Sequence, residues 1–161
     1  MAGDDVEITE EANLERAWPE LRGLLRELID YHEPLTGQKL SPDWEEHIKA
    51  EMAPVLSTGS GLLLFVRAGG RAMGFLSGHV TETTDTIFEG KLGNIDNVYL
   101  KPDLRGRRIG SRLVDAAEAW LRKQGASEIE LNVIVANELG RDVWQALGYE
   151  PFSERRRKRL F

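Results

Sequence analysis

The residue types most able to do chemistry in this chain lie together in Val-Tyr-Leu-Lys-Pro-Asp-Leu-Arg-Gly-Arg-Arg-Ile-Gly-Ser-Arg-Leu-Val, from Val98 to Val114. An apolar strand passes through Pro102 into a turn of arginine and glycine. That turn leads directly into an amphipathic helix. Gly106 and Gly110 carry no Cβ, so main-chain N–H groups there can approach an anion closely. The first turn of a helix has N–H donors without partners, and its dipole is positive at that end. Successive amides in such a turn form an anion-binding hollow. Arg105, Arg107 and Arg108 add charge around it. The chemistry expected is the holding of a phosphate or pyrophosphate. A Walker loop would end in Gly-Lys-Ser/Thr, which is absent, and a dinucleotide fingerprint would need three glycines after an early strand. The remaining alternative is a plain strand-to-helix connection whose glycines only permit packing.

Other chemistries find little support. His32, His47 and His79 have no metal spacing, and no Ser–His–Asp arrangement is legible. The chain has no cysteine, which excludes disulfides, thiolate metal sites and a cysteine nucleophile. This fits a reducing compartment. The first residues are acidic and polar, unlike a secretory signal, and no apolar run approaches the ~20 residues of a membrane span. The expectation is a soluble cytoplasmic protein without a membrane partner.

The net charge is −6 over 161 residues. Five basic residues form the run Arg155, Arg156, Arg157, Lys158 and Arg159. With these set aside, 16 basic residues face 27 acidic ones, a net of −11. Such a body attracts small cations and repels nucleic acid. The basic run reads as the solvated face of a last strand.

The elements that must position the turn follow from periodicity. Val6 to Ile8 is a short strand, and Thr9 is placed to cap a helix. Leu14, Ala17, Leu21, Leu24, Leu25, Leu28 and Ile29 recur at helical spacing, with Pro19 set to kink that helix or begin a second. Tyr31 to Leu40 reads as a loop. Ser41-Pro42 reads as a helix start, with the helix running to about Ala53 and stopping near Pro54. Leu62 to Val66 and Ala72 to Val80 flank Gly69-Gly70 as a hairpin. Thr81 to Lys91 is polar and loop-like, and Leu92 to Leu100 is a strand. Ile109, Leu113, Ala116, Ala117, Trp120 and Leu121 form one face of the clearest helix, closed by Gly125. Ile129 to Val135 alternates as a strand, Asn137 opens a helix to about Leu147, and Tyr149 to Leu160 is extended. The order β, α, α, three strands, α, β, α, β predicts one mixed α/β domain over residues 1–161.

From about Leu92 to Phe152 the sequence resembles the GNAT family of N-acetyltransferases. Arg105 and Gly110 match the first and last positions of its pattern (Arg/Gln, two residues, Gly/Ala, one residue, Gly/Ala), and Arg108 stands where the middle glycine usually falls. The likeness continues through Glu128-Ile-Glu-Leu-Asn-Val, Asn137 and Leu147-Gly148-Tyr149.

The resemblance implies a central, mostly antiparallel sheet, splayed at the cofactor site and flanked by helices. It implies an acetyl-CoA cofactor. Val98, Tyr99 and Leu100 would offer main-chain groups to its pantetheine arm. The amides of Gly106, Arg107, Arg108, Ile109, Gly110 and Ser111 would cradle its pyrophosphate, and Asn137 would contact it from the far side of the splay. Asn137 also reads as a helix N-cap. An acidic residue at the position of Asp96 is often proposed in the family as base or amine ligand, whereas Asn97 could only position substrate. The family's usual acid, a tyrosine seven residues after the asparagine, is Trp144 here. Indole is no proton donor near neutral pH. Water or another tyrosine, Tyr149 among them, would have to protonate the thiolate.

Tyr31, His32 and Glu33 sit where the family lines its acceptor site. The function implied is acetyl transfer to a primary amine: a polyamine, an aminoglycoside-like amine, an amino acid or a protein amino group. The alternative is a catalytically weak or inactive acyl-CoA-binding module that acts as a sensor or regulator. A homodimer through the final strands is implied by the same resemblance.

Overall fold

The computed structural model of the protein describes residues 5–82 and 89–161. Ten elements follow the sequence: β1 (Val6–Glu10), α1 (Leu14–Thr36), α2 (Trp44–Ser57), β2 (Gly61–Ala68), β3 (Arg71–Glu82), β4 (Lys91–Leu100), a 3-10 turn (Pro102–Leu104), α3 (Ile109–Lys123), β5 (Ala126–Glu130) and α4 (Glu138–Ala146). The sheet runs in the order β1-β2-β3-β4-β5. Its first three pairings are antiparallel, and β4 with β5 is parallel. The mixed sheet read from the sequence is therefore present. Most of the expected loop Thr81–Lys91 lies outside the described residues.

β2 explains how one sheet carries two cores. Leu62 to Val66 is a continuous apolar run, the pattern of a strand covered on both faces. Leu63 and Phe65 join Phe75 and the α1 residues Leu21, Leu24 and Leu25 in one cluster. Leu62, Leu64 and Val66 join Leu76, Ile95 and the α3 residues Leu113, Ala117 and Leu121 in the other. Each α1 or α3 stripe supplies the cover that alternate strand residues need.

Several expected boundaries are corrected. Thr9 lies in β1, and the cap of α1 is Asn13, whose side chain accepts from the Arg16 N–H at 3.0 Å. α1 runs unbroken through Pro19 and Pro34, because its buried stripe outweighs the hydrogen bonds those prolines forfeit. Tyr31, His32 and Glu33 are thus helical, and the helix closes at Gly37 in the left-handed conformation (φ 65°). α2 begins at Trp44 and continues past Pro54. β5 ends at Glu130, short of the expected Val135. The segment Tyr149–Leu160 forms no strand, and Phe152 and Leu160 are exposed. Arg157 instead donates to the Thr36 carbonyl at 3.0 Å, where the negative end of α1 attracts a cation.

Among the described residues no helix is long and apolar enough to cross a membrane, and no cluster of three potential metal ligands occurs.

Candidate active site

The turn read from the sequence joins β4 to α3 through the short 3-10 segment Pro102–Leu104. The Lys101 N–H donates to the Met73 carbonyl at 2.9 Å, and buried Leu104 anchors the turn to the α3 core. Arg105 Nε donates to the Leu100 carbonyl at 2.9 Å, and its guanidinium lies 5.6 Å from the Tyr99 ring centre. Gly106 has φ 74° and Arg108 has φ 59°, and these two left-handed residues turn the chain into α3. The first helical hydrogen bond runs from the Arg112 N–H to the Arg108 carbonyl. The amides of Ile109, Gly110 and Ser111 precede it, and no side chain of Arg108 caps them. A Cβ added at Gly106 or Gly110 would meet open space. Unfilled space before partnerless donors suits a diphosphate, so these residues fit the cofactor that the resemblance implies.

Arg108 holds the left-handed conformation in place of glycine, which costs an L residue about 1–2 kcal/mol. Glycine would relieve that strain but would also gain freedom in the unfolded chain. Arg108→Gly is expected to raise stability by about 0.5–1 kcal/mol, read as a higher urea midpoint. A lower midpoint would show that the arginine side chain stabilises the turn.

Beside the cradle the sheet opens. β4 pairs with β5 only over Lys91–Asn94, so the edge from Ile95 to Leu100 has no strand beside it among the described residues. The Lys101–Met73 bond and the register Phe75↔Tyr99 place Tyr99 in a hydrogen-bonded pair with β3. Val98 and Leu100 alternate with it and turn their main-chain groups to the open edge. The expectation for Tyr99 is corrected accordingly: its main chain belongs to the sheet. The Leu100 carbonyl is held by Arg105, which leaves its N–H and both groups of Val98 for a ligand.

Asp96 owes its position to a bulge. Ser77 pairs with Asn97 and Gly78 pairs with Ile95, so Asp96 is the extra residue. Simple alternation would put it on the face of Val98. The bulge places it instead opposite β3 on the α2 side. A Cβ at Gly78 would lie 2.5 Å from the Asn94 carbonyl oxygen, so this crossing requires glycine. His79 Nδ1 lies 2.6 Å from Asp96 Oδ2, and Asn97 donates to buried Ser77 at 3.1 Å. Burial pushes the Asp96 carboxyl above the ordinary carboxylate range, His79 opposes that shift, and the charge of Glu51 adds to it. No local signal marks the His79–Asp96 pair, because the two residues are 17 positions apart and meet only through strand register.

A hollow of about 380 Å³ opens on the same side of the sheet, between α1 and α2, with Asn97, Glu51, His32 and Glu33 among its lining. Burial holds His32 toward its neutral form.

The remaining candidates sort clearly. Asn137 is the N-cap of α4. Its Oδ1 accepts from the Gly140 N–H at 3.0 Å and from the Tyr31 hydroxyl at 3.0 Å, tying α4 to the end of α1. Trp144 packs in the α3-side cluster, 5.2 Å from the Tyr149 ring. The Tyr149 hydroxyl donates to Glu118 at 2.7 Å, and burial with that carboxylate pushes its pKa far up. It is therefore a poor proton donor.

A mixed sheet opened beside its fourth strand, with an uncapped helix start at that strand's tip, leaves room for a long diphosphate-bearing cofactor along the strand edge. The chain belongs to the Acetyltransferase (GNAT) family, whose pattern matches residues 19–149. That family uses acetyl-CoA.

The chain is 27% identical over 109 residues to an aminoglycoside N(6')-acetyltransferase type 1 of Klebsiella aerogenes, across 65% of this chain and 71% of that protein. It is 28% identical over 69 residues to a thialysine N-epsilon-acetyltransferase of Bos taurus, across 43% of this chain and 41% of that protein. In fold it is similar to an aminoglycoside N-acetyltransferase in complex with CoA, at a TM-score of 0.75 and 20% identity over 98% of this chain and 95% of that one. It is also similar to a glucosamine-6-phosphate N-acetyltransferase of Arabidopsis thaliana, at 0.69 and 16% over 98% and 100%.

Proposed function

We propose that the protein moves an acetyl group from acetyl-CoA to a primary amine, with Asp96 as the base. The observation that carries this reading is the bulge, which turns the Asp96 carboxylate of the open-edged strand toward His79, on the side of the sheet where the α1–α2 hollow lies. Bound acetyl-CoA supplies an activated acyl carbon. The amides of Gly106 to Ser111 would hold its diphosphate, Val98 and Leu100 would align its arm, and Asn137 would border the arm from α4.

An amine is protonated at neutral pH, with an ammonium pKa near ~10, and must shed a proton before it attacks. Asp96 takes that proton, directly or through a water, on Oδ1, while His79 holds Oδ2; the amine nitrogen would then bond to the acyl carbon as its C–S bond breaks, and the departing thiolate would take a proton from water. Upward displacement of its pKa makes the carboxylate a stronger base. The acidic body favours a cationic acceptor. The cysteine-free composition suits the cytoplasm, and the exposed Phe152, Leu160 and Phe161 suit a dimer through the final residues.

Free thiol release from acetyl-CoA, followed across a panel of primary amines, tests the reading. Release that depends on amine is expected. Tight CoA binding without release from any amine would point to a binding module instead.

A further inference from the structure

We infer that the acceptor is a linear aliphatic primary amine rather than a polyhydroxylated amino sugar. The inference rests on the proposed transfer reaction and names its substrate class. The observation behind it is the division of the α1–α2 hollow into an apolar wall and polar ends. Most of the lining surface is an apolar wall made by Leu25, Leu28 and Ile29 of α1, Leu40 of the connecting loop, and Trp44 and Ile48 of α2, while Thr36, Gln38, Ser41 and His47 add polar groups to the lining. One polar end is marked by Asn97 and Glu51, and Glu51 is near enough to Asp96 for its charge to be felt there. The other end carries Glu33 and Lys39, which also line the adjoining open hollow of about 480 Å³ beside Arg26.

The layout selects by desolvation and charge. An ammonium group is attracted to the end where Glu51 and Asp96 lie. His32, held toward neutrality by burial, adds little opposing charge. A methylene stem laid along the wall leaves water and loses no hydrogen bond. A sugar hydroxyl pressed against the same wall gives up its bonds to water and finds no partner among leucine and isoleucine side chains. Glu33 and Lys39 at the outer end would meet whatever polar group terminates the stem. Two relatives with different acceptors, one named for an aminoglycoside and one for thialysine, leave this choice to the chain's own residues.

The test compares the series from propylamine to hexylamine with glucosamine and neamine, using thiol release from acetyl-CoA. Each added methylene is expected to raise kcat/KM about fourfold, and every alkylamine beyond butylamine should exceed both amino sugars. Calorimetric titration of hexylamine and neamine into the full chain without acetyl-CoA gives a second readout, with hexylamine binding and neamine weaker. Ile48→Asn should flatten the chain-length trend, and Ile48→Val, which keeps the wall apolar, should retain it. If amino sugars bind and react better than any alkylamine, or if chain length has no effect, the inference is overturned. Should hexylamine bind with the expected preference while no amine releases thiol, the acceptor class stands and the transfer reading fails.

Discussion

Asp96→Asn is expected to lower turnover at neutral pH by about 10²–10⁴-fold, the usual contribution of a positioned general base, while leaving CoA affinity unchanged. Asparagine keeps the shape and a hydrogen-bonding oxygen for His79 but cannot accept the amine proton. The pH profile adds a sign that simple structural damage would not reproduce. Burial, with help from Glu51, raises the Asp96 pKa, so the basic form is lost as pH falls through a value above the ordinary carboxylate range. The acid limb of kcat/KM should lie there in the parent and disappear in the variant. His79 supplies the opposing influence, so His79→Gln should move that limb still higher. Stability follows its own sign. A carboxyl whose folded pKa is raised favours the folded state most below its unfolded pKa, and that contribution is lost as pH rises through the folded value. Asp96→Asn should therefore not lower the melting temperature at neutral pH. A variant as active as the parent across the whole pH range would remove Asp96 from the reaction.

The second large effect lies in the cradle. Gly110→Asp is expected to weaken CoA binding by about 10²–10⁴-fold, equivalent to losing two charge-assisted hydrogen bonds at about 1.5–3 kcal/mol each. The added carboxylate would occupy the open space before the first turn of α3 and repel the diphosphate. The same carboxylate favours the positive end of the helix by about 0.3–1 kcal/mol, and glycine is itself a poor helix former. The variant should thus unfold at the same urea concentration or a higher one. Weakened binding with retained stability separates an anion site from a packing role for Gly110. A parallel loss of stability and binding would favour packing. Titration calorimetry and denaturant melts on the same sample decide between them.

The sequence made some of this legible and hid the rest for physical reasons. The α3 helix, the Gly69-Gly70 hairpin and the arginine-glycine turn are written in local signals, namely helical spacing, paired glycines and a helix start without a capping side chain. They were readable because each depends on neighbours in the chain. The bulge at Asp96 depends instead on Gly78, a residue of another strand, and on how far β3 and β4 slip past each other. Period-two alternation would have put Asp96 on the wrong face.

β5 shows the same limitation. Ile129, Leu131, Val133 and Val135 alternate well, yet pairing stops at Glu130 because the register to β4 does not continue. Val135 is left exposed. The prolines of α1 misled in the opposite direction, since a buried stripe on one side of a long helix tolerates two missing donors. Nor could spacing reveal that Tyr31 reaches Asn137 across more than a hundred residues of chain.

The cradle itself is tested most directly by a crystal structure of the protein with CoA. The expected result is diphosphate oxygens about 2.7–3.2 Å from the amides of Ile109, Gly110 and Ser111, with the pantetheine arm running along Val98 and Leu100. A diphosphate bound elsewhere, with that hollow empty or filled by protein side chains, would contradict the assignment.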